Sequence, residues 1–121
     1  GHVLCNRLVV DAKRHAAYYT LTREDQKNFN FIKGDAEGIV NMPLQIKGLR
    51  LSISLREDTE KPNLVMVSLR SVDDFPCNLM AADFFNGGGH LNASGGKLHC
   101  TIEEAVKVVE RAFLAYEDKL K

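Results

Sequence analysis

One alternation limits what this chain can fold into more than any other feature. In "LRLSISLRE", Leu49, Leu51, Ile53 and Leu55 alternate with Arg50, Ser52, Ser54 and Arg56. Successive side chains of a strand point to opposite faces, so the segment is expected to be a strand with one buried and one wet face. The charged loop "EDTEKPN", which carries Pro62, is followed by "LVMVSLR" (64–70). There Val65, Val67 and Leu69 share one face, and Ser68 and Arg70 share the other. The two runs make a hairpin, and its apolar face has to be covered by other elements.

The rest of the chain supplies the cover. "HAAYYTL" (15–21) reads as another strand, while residues 3–10 are too short to classify and fit a helix tail leading into a strand. Thr22 is placed to cap a short helix with Asp25 in its first turn. "GDAEGIVN" is expected to form a turn and a short helix ended by Pro43. "DDFPCNLMAADFF" (73–85) reads as a helix with an Asp cap and Pro76 in its first turn, stopped by Asn86 and Gly87. The final helix opens on the capping box of Thr101 and Glu104, and Ile102, Ala105, Val109, Ala112, Phe113, Tyr116 and Leu120 form its apolar stripe. The expected fold class is α+β, a single domain over 1–121 with a small mixed sheet and helices packed on it.

Charge narrows the partners. Sixteen basic residues balance sixteen acidic ones, whereas surfaces that grip long nucleic acids are distinctly basic. A local pocket for a short polyanion remains open. Cys5, Cys77 and Cys100 are odd in number and widely spaced, which points to a reduced, cytoplasmic chain and not a disulfide scaffold. No apolar run reaches membrane-spanning length. The opening "GHVLCNRL" lacks an initiator Met, so the chain is expected to be a piece of a longer protein.

Chemistry concentrates in "FFNGGGHLNASGG" (84–96). Consecutive glycines reach backbone angles closed to other residues and let a ligand approach the main chain. Gly87, Gly88 and Gly89 are therefore expected to form an anion-binding nest, with His90 as an added donor. "LNASGG" is expected to start a further helical turn whose N–H groups face the same anion. The plain alternative is a surface loop with an incidental histidine. Upstream, Arg70 in "SLRS" suits bidentate phosphate contact, or is an arginine solvated on an edge strand. His90, His99, Cys77 and Cys100 show no metal-ligand spacing, and neither Cys77 nor Cys100 sits in a nucleophile motif. Adjacent carboxylates such as Asp73–Asp74 point apart and form no catalytic dyad.

Together, "VSLRS", "MAADFFNGGGHLNASGG" and "TIEEAVKVV" resemble the C-terminal DHH-associated domain of the DHH phosphoesterases, nearest the branch of nano-RNases and 3′-phosphoadenosine 5′-phosphate (pAp) phosphatases. The resemblance implies a parent hydrolase whose N-terminal DHH domain carries two divalent metals, usually manganese. It implies that this part binds short RNA or a nucleotide phosphate and is inactive alone, holds no metal and crosses no membrane. A homodimer is compatible with it. It assigns substrate binding to Arg70, Gly87, Gly88, Gly89 and His90, with Asn92 and Ser94 at the edge of the site. Exopolyphosphatase or pyrophosphatase relatives and a tRNA-binding appendage are the alternatives it carries.

Overall fold

A computed structural model describes residues 7–28 and 42–121. The element expected within "GDAEGIVN" lies outside them. Six strands form one sheet: β1 (Leu8–Asp11), β2 (Ala16–Leu21), β3 (Leu51–Glu57), β4 (Val65–Ser71), β5 (Gly88–His90) and β6 (Ala93–Leu98), in the order β1-β2-β3-β4-β6-β5. The pair β2/β3 is parallel and all other neighbours are antiparallel, so the sheet is mixed. Among the described residues the α-helices are α1 (Arg23–Asn28), α2 (Cys77–Phe84) and α3 (Ile102–Ala115).

Register explains where the core sits. Ala16, Tyr18, Leu51, Ile53, Leu55, Val65, Val67 and Leu69 share one face. That face packs with Phe75, Met80 and Phe85 around α2 and with Ile102, Ala105, Val109, Ala112 and Phe113 of α3. Each fully buried aliphatic or aromatic side chain stabilises the fold by about 1.5–3 kcal/mol relative to exposure. Rings knit the layers, with Tyr18 to Phe113 at 6.2 Å and Tyr116 to Phe75 at 6.0 Å between centroids. The capping box of α3 is formed, Thr101 Oγ1 accepting from the Glu104 N–H and Glu104 accepting from the Thr101 N–H. The expected stripe is buried as far as Leu120, but regular helix stops at Ala115. Turns carry the chain on, and Arg50 donates to the Lys119 and Lys121 carbonyls.

Three local expectations are corrected. The face of β3 opposite the core is not wet, since Ser52 and Ser54 are both fully buried. β3 is a central strand, and its parallel neighbour β2 places buried Ala17, Tyr19 and Leu21 beside them. The helix expected from residue 73 begins only at Cys77, with Pro76 as N-cap and no side-chain cap. Proline disfavours helical geometry in the residue before it, so Phe75 cannot continue a helix. Asp73 instead takes a left-handed conformation (φ 55°), and Asp74 pairs with Arg50. The third correction concerns the glycine segment and belongs to the site.

Two buried tyrosines contribute to a loss of stability at alkaline pH. Burial pushes the Tyr19 hydroxyl up to about 12, while the charges of Arg56 and Arg70 pull it down. Tyr116 is likewise pushed up to about 12, first by burial and then by its hydrogen bond to Asp83 and the charge there. An unfolded tyrosine ionises near 10. Between pH 10 and 12 the unfolded chain releases these protons before the folded one, so stability present below pH 10 declines as pH rises. Urea unfolding followed by circular dichroism should show that decline, with a shallower slope in Tyr19→Phe; an unchanged slope in that variant removes Tyr19 as a cause.

Candidate functional site

The face of the sheet turned away from α2 and α3 carries the candidate site. Cross-strand register lays its residues in rows. One row reads Val10, Ala17, Ser52, Arg70, Ala93 and His90 from β1 to β5. The next reads Leu8, Tyr19, Ser54, Ser68, Gly95 and Gly88, and a third reads Leu21, Arg56, Met66 and Lys97. Over β2 and β3 this face is buried, whereas Ser68, Arg70, Ala93, Gly95, Gly88 and His90 are partly or fully exposed. The open half is therefore the β4–β6–β5 side.

Arg70 and His90 stand two strand spacings apart in one row, about 10 Å between Cα atoms. Between them lies only Ala93, and along the strands only Ser68, Gly95 and Gly88. A Cβ added to Gly88 would meet nothing within 4 Å, which marks open space. The Arg70 guanidinium donates to the Leu69 carbonyl at 2.8 Å and to the Ser94 carbonyl at 3.4 Å, and among the described residues to no carboxylate. The His90 ring makes no hydrogen bond among the described residues, while its carbonyl accepts from the Ser94 hydroxyl at 2.8 Å. Arg70 is not on an edge strand, because β4 lies between β3 and β6.

The three rows contain Arg56, Arg70, Lys97 and His90 but not one aspartate or glutamate. Elsewhere cations find acids: Arg7 with Asp25, Arg14 with Asp11 and Glu117, Arg50 with Asp74. Arg56, Arg70 and Lys97 have no ion pair among the described residues. Among the described residues, then, a chain of zero net charge gathers cations without acids on one face. Sequence reasoning missed Arg56, although its alternation with the core residues of β3 signalled it. The grouping with Lys97 needed the β4/β6 register, which no local pattern carries.

The glycine segment differs from the expected nest. Gly88–His90 is a strand paired Gly88 to Gly95, Gly89 to Ser94 and His90 to Ala93, and "NASGG" continues as β6 and not as a helical turn. The glycines answer mainly to steric crowding. A Cβ on Gly96 would sit 2.1 Å from the Phe85 carbonyl oxygen, and one on Gly87 would sit 1.9 Å from that of Gly95. Gly89 has φ +145°, a conformation side chains rarely adopt. Asn86, left-handed at φ 53°, turns the chain out of α2 while the Gly87 N–H bonds back to the Ala81 carbonyl.

Asn92 and Ser94 brace this arrangement. Asn92 donates to Ser71 Oγ at 2.9 Å and to the Asp73 carbonyl at 3.2 Å, tying the β5–β6 turn to the end of β4. Ser94 is buried on the helix-covered face, in register with Leu69. The structure therefore brings Arg70, Gly88 and His90 onto one open surface, and holds Asn92 and Ser94 in its frame. Cys77 is buried, its thiol 3.8 Å from the Leu69 and His90 carbonyls, and burial pushes the Cys100 thiol up. Among the described residues no three His, Cys, Asp or Glu side chains converge as a metal site, and no helix is long and apolar enough to cross a membrane.

The DHHA1 domain family matches residues 14–115. This chain belongs to the DHHA1 family. A solved exopolyphosphatase-related protein from Bacteroides fragilis shares 54% identity and a TM-score of 0.91 over 99% of this chain. The DHHA1 chain spans only 34% of that protein's length. A pGpG-specific phosphodiesterase from Vibrio cholerae shares the fold at TM-score 0.66 and 16% identity, over 99% of this chain and 38% of its own. The C-Ala domain of Aquifex aeolicus alanyl-tRNA synthetase shares it at TM-score 0.56 and 12% identity, over 81% of this chain and 89% of its own. No curated protein matches the chain.

Crowding at the glycines of this DHHA1 domain is directly testable. Gly87→Ala and Gly96→Ala each force backbone to move and should destabilise by several kcal/mol, within the range of overpacked sites. Gly88→Ala should lie within about 1 kcal/mol of the parent. Thermal melts of the three variants decide it, and equal losses at all three would refute the steric reading.

Proposed function

We propose that this DHHA1 domain is the substrate-binding half of a metal-dependent DHH-type phosphoesterase that acts on short RNA or a nucleotide phosphate such as pAp. The observation that carries the reading is the Arg70–Ala93–His90 row on an open sheet face that holds no carboxylate among the described residues. Arg70 offers a planar fork for two phosphate oxygens, and His90 offers a ring N–H from the other side of the small Ala93. Gly88 and Gly95 leave room for the ligand to lie against the backbone, and Asn92 and Ser94 keep β5 in place. A face of three cations suits a ligand with few charges, in keeping with the chain's neutral balance.

Hydrolysis is assigned to the companion DHH domain. The residues described here do not fit a two-metal centre. Two divalent ions, manganese by family resemblance, would activate water there. By this reading the domain alone binds without hydrolysing.

A second reading has specific support, because the 54% identical protein is described as exopolyphosphatase-related and Lys97 and Arg56 add positive charge beside Arg70. Hydrolysis of polyphosphate and of a dinucleotide by the full-length protein, compared side by side, separates the two. A tRNA-binding role rests on fold likeness alone, and the zero net charge speaks against it.

Titration of pAp or a dinucleotide into the domain, followed by NMR, should move amide signals across residues 86–95 and near Arg70. Arg70→Ala and His90→Ala should each weaken binding about tenfold or more, the equivalent of one charge-assisted hydrogen bond. Unmoved signals in the parent would overturn the reading.

A further inference from the structure

The positive face extends beyond the Arg70–His90 row. Along β6 the residues on this face are Ala93, Gly95 and Lys97. The first two barely rise above the backbone, so β6 is a low lane between the β4 side chains Arg70, Ser68 and Met66 on one side and β5 on the other. The lane runs from the Arg70–His90 end to Lys97, four residues on, about 13 Å at strand rise. Lys97 is exposed, and Met66 beside it is partly so. Arg56 completes that row across β4, with Nε buried and unpartnered among the described residues. Among the described residues no carboxylate pairs with either end.

Two cationic ends joined by a floor of small residues fit a linear ligand with more than one phosphate. A single phosphate monoester cannot bridge them. We infer that Lys97, supported by Arg56, forms a second phosphate subsite that engages a short single-stranded oligonucleotide further along its backbone, with Met66 offering apolar surface to a base between. This rests on the Arg70–His90 reading above and adds length selection to it. Arg70 and His90 hold one end of the ligand, and Lys97 rewards chains long enough to reach it.

The test is a ladder of 5′-AMP, pApA and pApApA titrated calorimetrically into the domain at several salt concentrations, using the parent, Lys97→Met and Lys97→Arg. In the parent, affinity rises with length, and the slope of log K against log salt steepens by about 0.7 for each further phosphate engaged. Lys97→Met lowers the trinucleotide-to-mononucleotide affinity ratio about tenfold and removes about one such increment of slope. Lys97→Arg restores both. Lys97 is exposed, so loss of fold does not confuse the result. A parent that binds 5′-AMP but gains nothing with length, or a ratio untouched by Lys97→Met, overturns the second subsite and leaves the first intact. Failure of all three ligands to bind overturns both. Short polyphosphates run alongside guard the ligand class: a Lys97-dependent gain with polyphosphate length, and none with oligonucleotide length, overturns the oligonucleotide assignment.

Discussion

Everything at the candidate site depends on how closely the backbone leaving α2 approaches β6. Gly96 lies against the Phe85 carbonyl, and Gly87 lies against that of Gly95, at separations where even a methyl group would collide. The Lys97 N–H bonds to the same Phe85 carbonyl at 2.8 Å, so the contact is fastened as well as tight. This lets the chain turn from the helix directly into β5 and add an edge strand to the sheet. Were that approach looser, His90 would have no fixed register, and its pairing across Ala93 with Arg70 would be lost.

The far end of the same strand is fastened independently. The Leu91 carbonyl accepts from the Cys77 N–H at 2.9 Å, satisfying an N-terminal donor of α2 that lacks a side-chain cap. Ser71 Oγ donates to the Phe75 carbonyl at 2.8 Å, lies 3.2 Å from the Leu91 carbonyl, and accepts from Asn92. A three-residue edge strand would be marginal by itself. It is held here at both ends by hydrogen bonds to α2 and β4.

Charge balance is decided at the level of the face and not of the chain. Sixteen acids and sixteen bases cancel in total, yet among the described residues the sheet surface over β4, β6 and β5 carries cations and no acid. The acids are drawn elsewhere, to helix starts such as Glu103 and Glu104 and to pairs such as Arg14 with Asp11. Net charge bounds long-range attraction to a polymer, but a short ligand responds to the local field.

Much of this was legible in the residues. The alternation around Ile53 and Val67 identified the central hairpin, the Thr101–Glu104 box identified α3, and "SLRS" with "GGGH" marked Arg70 and His90. These are local signals, set by side-chain period and by capping. What the residues alone could not show was which strand lies beside which. Ser52 looked wet because alternation separates the two faces of a strand, while what covers each face is a matter of distant contacts. The glycines looked like a phosphate nest because flexibility is a local property, whereas their crowding against Phe85 and Gly95 is a contact between distant elements. Composition, period and capping thus determined the elements and their apolar faces. The tertiary structure decided register, and register alone put Arg70, His90, Lys97 and Arg56 on one surface, because cross-strand neighbours are set by hydrogen-bonded pairing and not by sequence distance.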